Sequence, residues 1–240
     1  PLPRVVQNNH EIAAKAVEHF VSQGFRSLAF YFVSTDYASR VRRDSFIDTA
    51  LQHGAQCRVI DAHAHGFVKE GEGIPWLAEQ LLDLPRPAGI MCSNDQLSVY
   101  LLDACAMAKL GVPEDVAVIG VDNDELVCDF APVPLSSVDS NLELNGYEGA
   151  RLLDRLIHGE PPPTDPIFVP SGEVVVRHSS DMLAVNHKGV ARALAYIRKN
   201  FRNARIHTRD VARIAHMSRE RLHKAFLKYI GRSVVEELRR

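Results

Sequence analysis

The feature that most constrains the fold is the alternation of short apolar runs with segments of helical spacing over residues 12–121. The apolar runs lie at 27–33, 56–60, 88–92 and 116–121, and the helical segments at 12–23, 43–53, 75–82 and 95–109. Apolar runs of this length are typical of buried strands. Alternating strands and helices predict a mainly parallel sheet with helices on both faces. The sequence therefore predicts a doubly wound α/β fold.

In such sheets ligands bind at the carboxyl ends of the strands. The residues that follow three of the predicted strands, at 34–37, 93–96 and 122–125, are polar. Two of these sets contain neighbouring Asn and Asp residues: Asn94, Asp95, Asp122 and Asn123. We expect these four side chains to lie at one edge of the sheet, where a polar ligand binds.

The chain changes character after residue 130. Seven prolines interrupt residues 131–173, around one predicted helix at 144–157, and short strands are predicted at 167–169 and 174–177. Three helices are then predicted, at 190–200, 208–215 and 219–229. We therefore divide the chain into an α/β domain at 1–180, a linker at 181–187 and a helical segment at 188–240.

Charge is distributed unevenly between these parts. Residues 188–240 contain 15 Lys and Arg against 4 Asp and Glu, a formal charge of +11. Of the totals of 28 and 30, residues 1–187 keep 13 basic and 26 acidic residues, a formal charge of −13. A strongly basic segment on an acidic body favours a polyanionic partner such as double-stranded DNA. The alternative is a solvated helical face that binds nothing.

Other features exclude several classes of protein. No apolar run is long enough to span a membrane, and no signal peptide is visible, so we expect a cytoplasmic protein without membrane contact. The four cysteines lie among apolar neighbours, which is typical of buried thiols. Asp61, His63 and His65 lack a second cluster at metal-ligand spacing. No nucleophile motif or phosphate-binding loop occurs, so we expect no enzyme, no cofactor and no metal.

The last two predicted helices are joined by a tight turn, the arrangement of a helix-turn-helix, whose second helix enters the major groove. We expect an inner face of Val211, Ala212, Ala215, Leu222, Phe226 and Leu227, with Ser218 capping the second helix. The outer face of that helix offers Arg219, Glu220, His223 and Lys224 to base edges. Arg213, Lys228 and Arg232 are suited to phosphates. A charged helical hairpin with no ligand is the alternative.

The stretch IHTRDVARIAHMSRERLHKAFLKYIGRSVVEELRR resembles the first helix-turn-helix of the AraC/XylS family. The resemblance rests on Val211-Ala212, Ser218, Leu222, Phe226 and the Gly-Arg-Ser at 231–233. It implies DNA binding through Ser218 and the outer-face residues. The family has a second such unit after a long linker helix. The chain ends at Arg240, so we expect it to lack that unit and to bind DNA weakly alone.

Four stretches of the α/β domain resemble the LacI-type effector domain, a relative of periplasmic sugar-binding proteins. They are NNHEIAAKAVEHFVSQGFRSLAFY, RVRRDSFIDTAL, SNDQLSVYLLDACAMAKLGVPEDVAVIGVDND and PLSSVDSNLELNGYEGARLLDRLIHGE. The resemblance implies sugar contacts by Arg42, Asn94, Asp95 and Asp122, with Asn123 and His10 as weaker candidates. A guanidinium and a carboxylate suit adjacent sugar hydroxyls. The family usually has Gly where Ser45 stands. Most of its first lobe precedes residue 5, so we expect a half-built cleft.

A LacI-type sensor joined to an AraC-type helix-turn-helix is the combination found in the xylose-operon activator type of regulator. The resemblance implies a homodimeric activator of sugar catabolism that responds to a pentose such as D-xylose. Two alternatives stay open: a carbohydrate-binding protein of the periplasmic type without a regulatory role, and an α/β enzyme with a helical appendage. The basic tail and the lack of a catalytic motif count against them.

Overall fold

Helices and strands alternate along most of the chain in a computed structural model that describes residues 2–66, 73–182, 187–200, 206–230 and 232–238. The strands are β1 Val5–Gln7, β2 Ser27–Phe32, β3 Gln56–Asp61, β4 Ala88–Cys92, β5 Val116–Val121, β6 Ser136–Val138, β7 Ile167–Val169 and β8 Val174–Val175. The helices are α1 Asn9–Ser22, α2 Tyr37–Gln52, α3 Ile74–Leu82, α4 Asp95–Met107, α5 Glu125–Phe130, α6 Leu142–Ile157, α7 Lys188–Lys199, α8 Thr208–Ile214, α9 Arg219–Ile230 and α10 Val234–Leu238. A 3-10 turn spans His178–Ser180. We call everything up to residue 182 the body and α7–α10 the helical tail.

The body is built on a six-stranded sheet in the order β3-β2-β4-β5-β6-β8. The first five strands pair in parallel and β8 closes the edge in the antiparallel sense. Every residue of β4 and β5 is buried, because helices cover both faces of the sheet. The predicted α/β fold with a mainly parallel sheet is confirmed.

Strand β2 shows how the two faces are filled. Leu28, Phe30 and Phe32 point into a core with α1 and α2, where the rings of Phe30 and Phe46 lie 5.7 Å apart. Ala29 and Tyr31 point the other way, into a core with α3 and α4. Since side chains alternate along a strand, one apolar run supplies both layers.

A smaller layer lies beside this sheet. Strands β1 and β7 form a parallel pair, and α6 packs against both. The outer face of this layer is apolar and exposed, at Tyr147, Leu153, Ile157 and Phe168. The two strands bring residues 5–7 from the start of the chain to the main sheet's β6 side, which positions Gln7 for the site described below.

The helical tail has a separate core in which Val190, Leu194, Val211, Leu222 and Phe226 are buried together. Leu227, predicted to face that core, is 48% exposed, and this prediction is wrong. Ala225 takes the inner position instead, since residues 222, 225 and 226 share one helical face. A left-handed residue, His216 with φ of 52°, turns the chain between α8 and α9.

Several elements differ from the sequence-based expectation. Helix α2 begins at Tyr37 instead of residue 43, because the Asp36 carboxylate accepts the Ser39 N–H and caps an earlier first turn. The short elements β1, β6, α5 and α10 were not predicted; none exceeds six residues. Within the described ranges, the helices are too short or too polar to cross a bilayer.

Candidate functional site

Polar side chains from four separate elements converge at the carboxyl edge of the main sheet. Gln7 ends β1, Arg42 lies in α2, Asp122 follows β5 and Ser140 follows β6. These residues are up to 133 positions apart in sequence, and hydrogen bonds between their side chains show that the fold brings them together. We call these four residues the polar ring.

Hydrogen bonds and one ion pair close the polar ring. Arg42 Nη2 donates to Gln7 Oε1 at 2.7 Å, and Gln7 Nε2 donates to Ser140 Oγ at 3.2 Å. Ser140 Oγ donates to Asp122 Oδ1 at 2.9 Å, and that oxygen lies 3.9 Å from Arg42 Nη2. Each side chain is therefore oriented by its neighbours on both sides.

The Arg42 guanidinium is the most constrained member of the ring. Only 5% of the residue is exposed, and its Nε and Nη1 donate to Asn9 Oδ1 at 2.8 Å and to the Ser93 carbonyl oxygen at 2.5 Å. Burial lowers the pKa of Arg42, and Asp122 opposes this shift, so the group remains a cation. A guanidinium has five N–H bonds in a planar fork, and the three contacts to neutral acceptors use three of them.

Asp122 stands in an unusual backbone conformation. Its φ is 107° and that of Asn123 is 55°, so two consecutive residues occupy a region that side chains disfavour by about 1–3 kcal/mol each. The turn of Asp122–Asp124 is held by its own N–H groups. Asp122 donates to the Val138 carbonyl at 3.1 Å, Asn123 to Ser137 Oγ at 3.0 Å and Asp124 to Asp95 Oδ2 at 2.9 Å.

Asp95 is not brought into the polar ring. Its carboxylate points into the interior and accepts from the Ser137 hydroxyl at 2.6 Å and the Cys128 thiol at 3.4 Å, in addition to the Asp124 N–H. Burial raises the pKa of Asp95 to about 6. Gly120 is required beside it, since a Cβ there would lie 2.1 Å from Asp95 Oδ1. The structure gives Asp95 a positioning role under the 122–124 turn.

The remaining sequence candidates lie around the ring with partners of their own. Asn94 caps α4, with its Oδ1 accepting the Leu97 N–H at 2.9 Å. The side-chain oxygen of Asn123 accepts from Arg177 Nη1 at 2.9 Å. His10 Nδ1 and Ser45 Oγ are 2.6 Å apart, so the residue that replaces the usual Gly is anchored to α1.

Sequence reasoning missed Gln7, Asn9, Ser93 and Ser140. Gln7 and Asn9 end or follow a strand of three residues, too short to show a pattern. Ser93 contributes a backbone carbonyl, for which side-chain identity gives no signal. Asp61 of the set-aside Asp-His-His group accepts the Ala64 N–H at 2.9 Å, a local turn contact.

The helical tail presents its charged residues outward. Arg219, Glu220, His223 and Lys224 are all exposed on α9, whereas Leu222 and Phe226 are buried. Ser218 Oγ accepts the Arg221 N–H at 3.2 Å and so caps this helix as predicted. The exposed surface of α9 therefore carries both hydrogen-bond donors and an acceptor that are accessible to a ligand.

The predicted phosphate-binding residues flank that surface. Arg213 is 76% exposed at its side chain and lies 3.4 Å from Asp210 across one turn of α8. Lys228 has its Nζ 5.1 Å from the centre of the Tyr229 ring. Arg232 pairs with Glu237 at the start of α10. The Arg232 pair is partly buried, since the Glu237 side chain is only 10% exposed. Exposed ion pairs contribute little to stability, so Arg213 can exchange partners at low cost.

A doubly wound sheet with a buried guanidinium beside a partly exposed carboxylate at its carboxyl edge defines an α/β ligand-binding domain. A model of the periplasmic binding protein-like domain matches residues 17–180. The chain belongs to this family.

Relatives of known function are similar to nearly the whole chain. The xylose operon regulatory protein of Escherichia coli K12 is 30% identical over 98% of this chain and 60% of its own length. The protein of the same name from Haemophilus influenzae is 30% identical over 82% of this chain and 51% of its own length. A solved structure described as the xylose-binding transcription activator xylR has a TM-score of 0.73, 27% identity, and coverage of 100% of this chain and 63% of its own. The chain thus spans half to three-fifths of these relatives.

Proposed function

We propose that this chain is the part of a sugar-responsive transcription regulator that joins a sugar-binding body to a DNA-binding helical tail. The observation on which the proposal depends is the pair of buried Arg42 and partly exposed Asp122, whose geometry is fixed by the polar ring. Similarity to regulators over nearly all of the chain, including the tail, supports it. The protein acts in the cytoplasm and is not an enzyme.

The sugar-binding part of the proposal follows from the chemistry of the ring. A sugar has adjacent hydroxyls, each of which both donates and accepts hydrogen bonds. The Arg42 fork supplies donors and the Asp122 carboxylate, 30% exposed at its side chain, supplies an acceptor within reach of the same ligand. We propose that Asn94 adds an amide beside them, and that Asp95 and Asn123 hold the 122–124 turn in place.

The DNA-binding part follows from the exposed α9 surface. Arg219 and Lys224 would donate to guanine, and Glu220 would accept from cytosine. His223 lies beside them as a further base-edge contact, and Ser218, Arg213, Lys228 and Arg232 suit contacts to the sugar–phosphate backbone. The helices α8 and α9, with the His216 turn between them, then act as the helix-turn-helix of the AraC type.

We also propose D-xylose or a related pentose as effector, activation as the outcome and a homodimer as the active form. The effector is supported by the names of the similar proteins, and the activator role by the description of one solved structure. Support for a dimer comes from α5, where Leu126 and Phe130 are 74% and 83% exposed one helical turn apart. An exposed apolar pair of this size is suited to a symmetric contact.

The sugar site is tested by isothermal titration of the full-length gene product with D-xylose, L-arabinose and D-ribose. Asp122→Asn removes the charged acceptor, so we expect affinity for the preferred pentose to fall roughly 10- to 100-fold. Asp103→Asn, an exposed carboxylate on α4, is the matched control and should leave affinity unchanged. Equal affinity in Asp122→Asn and wild type would refute this site.

DNA binding is tested by fluorescence anisotropy with promoter fragments that flank the gene, with and without the preferred pentose. We expect the pentose to change operator affinity at least fivefold, the lower end of ordinary coupling energies. Pentose binding with no operator binding at any salt concentration would leave a carbohydrate-binding protein without a regulatory role.

A further inference from the structure

Arg177 lies beside the 122–124 turn, at the start of the segment that leads towards the helical tail. Its Nη1 donates to Asn123 Oδ1 at 2.9 Å and to the Leu135 carbonyl at 3.1 Å, and its Nε donates to Asp129 Oδ1 at 2.7 Å. The side chain is only 15% exposed. One guanidinium therefore joins the turn that holds Asp122, helix α5 and the loop that leads to β6.

The backbone of Arg177 begins the segment that leads out of the body. We call residues 177–182 the exit segment. Ser136 Oγ accepts the Arg177 N–H at 2.8 Å and donates to the Arg177 carbonyl at 3.0 Å. Ser179 Oγ donates to the Val118 carbonyl at 2.6 Å and accepts the Ser136 N–H at 2.8 Å. The exit segment is thus hydrogen-bonded to β5 and β6, the strands that precede Asp122 and Ser140.

The far side of the exit segment faces the helical tail. A cavity of about 650 Å³ is lined by His178, Asp181 and Met182 of the exit segment and by Arg192, Tyr196 and Ile214 of α7 and α8. Met182 itself is buried. A shift of the exit segment would therefore change the surface against which α7 and α8 lie.

The 122–124 turn is suited to shift when a ligand binds. Two of its residues hold positive φ values at a cost in conformational energy, and Asp122 is the member that faces the proposed sugar site. A ligand that draws Asp122 towards its hydroxyls changes the turn. It thereby moves Asn123 Oδ1, the atom that Arg177 holds.

We propose that Arg177 couples occupancy of the sugar site to the position of the helical tail. The inference rests on the proposed function, since it assigns a route of regulation to that same site. Arg177 contacts neither ligand. It is a positioning residue that joins two elements whose arrangement both ligands would bias.

The test compares operator affinity with and without saturating pentose in the full-length protein carrying Arg177→Gln. We expect pentose affinity to stay within threefold of wild type, because the polar ring is untouched. The ratio of operator affinities with and without pentose should fall at least fivefold. Arg155→Gln is the matched control, an exposed arginine of α6 paired with Glu160, and should keep the wild-type ratio.

Asp129→Ala provides a second variant that does not disturb the interior, since this carboxylate is 58% exposed. It removes the ion pair that orients Arg177, and we expect the ratio to fall at least twofold. An unchanged ratio in the folded variants overturns the inference. Joint loss of pentose binding and coupling also overturns it, since both residues would then belong to the framework of the sugar site. A wild-type protein without any pentose effect would instead refute the proposed function.

Discussion

The body and the helical tail use polar residues in opposite ways. In the body, Arg42 is 5% exposed, and three of its five N–H groups donate to Asn9, Ser93 and Gln7. In the tail, Arg219 and Lys224 project from α9 into solvent. A small neutral polyol is held by directed hydrogen bonds away from water, whereas a polyanion is attracted by exposed charge. Under the proposed function, the two regions therefore bind different classes of ligand, and this difference can be tested residue by residue.

The largest effect is expected in the core of the tail. Phe226→Ala removes a fully buried ring, so we expect the tail to lose about 4 kcal/mol of unfolding free energy. Leu227→Ala, its neighbour on the exposed face, should change that free energy by less than about 0.5 kcal/mol. Trp76 is the chain's single tryptophan and lies in α3, so its fluorescence reports the body while circular dichroism reports both parts. Equal losses in the two variants would contradict the assigned helix face.

The next effect compares one arginine from each region. Arg42→Met leaves the acceptors of buried Asn9 and Ser93 without their donor, so we expect the body to lose about 3 kcal/mol of unfolding free energy. Arg219→Met changes an exposed side chain and should cost less than about 0.5 kcal/mol. Urea unfolding followed by Trp76 fluorescence measures the first value, and circular dichroism the second. Similar losses of unfolding free energy in both variants would contradict the difference in arginine burial between the body and the tail.

The two regions also differ in how much could be predicted from sequence. The exposed residues of α9 were predicted from helical periodicity alone. Each of the four base-edge candidates has another three or four residues away, and all four are exposed. Leu227 was misplaced since periodicity gives a stripe without fixing its centre. The sheet and its carboxyl edge were also predictable, since long apolar runs mark β2, β4 and β5.

The polar ring could be predicted only in part. Arg42 and Asp122 were found by resemblance, but their partners Gln7 and Ser140 follow strands of three residues with no detectable pattern. Asp95 shows a second limit. Adjacent residues at a strand end point in different directions, so Asn94 and Asp95 share a motif while the carboxylate of Asp95 turns inward to Ser137. Sequence places a residue at an edge, but the side chain's direction depends on packing around it.

The tail's surface charge gives a smaller effect, on DNA affinity. Lys224→Ala should weaken operator binding roughly tenfold and reduce by about 1 the slope of log affinity against log salt if Lys224 contacts a phosphate. If it reads a base, the loss should instead depend on the operator sequence, with little change in slope. Lys109→Ala, an exposed lysine of the body, is the control. An unchanged operator affinity in Lys224→Ala would mean that this face of α9 does not contact DNA.

The smallest expected effect tests the interior of the body through pH. The pKa of Asp95 is raised to about 6 by burial, above its ordinary value of 3.8, so the folded state binds a proton more tightly than the unfolded chain. Stability from this group is therefore present at low pH and is lost as the pH rises through about 6. Between pH 5 and pH 7 we expect ionisation of Asp95 to decrease the body's unfolding free energy by about 1 kcal/mol.

Urea unfolding at both pH values, followed by Trp76 fluorescence, should show this decrease in the wild type but not in Asp95→Asn. Asp103→Asn, an exposed carboxylate of the same helix, should keep the wild-type pH dependence, because its side chain lies outside this interior. If Asp95→Asn showed the same decrease as the wild type, the Asp95 carboxylate would be ionised at both pH values. The 122–124 turn would then be held by a charged carboxylate throughout this range.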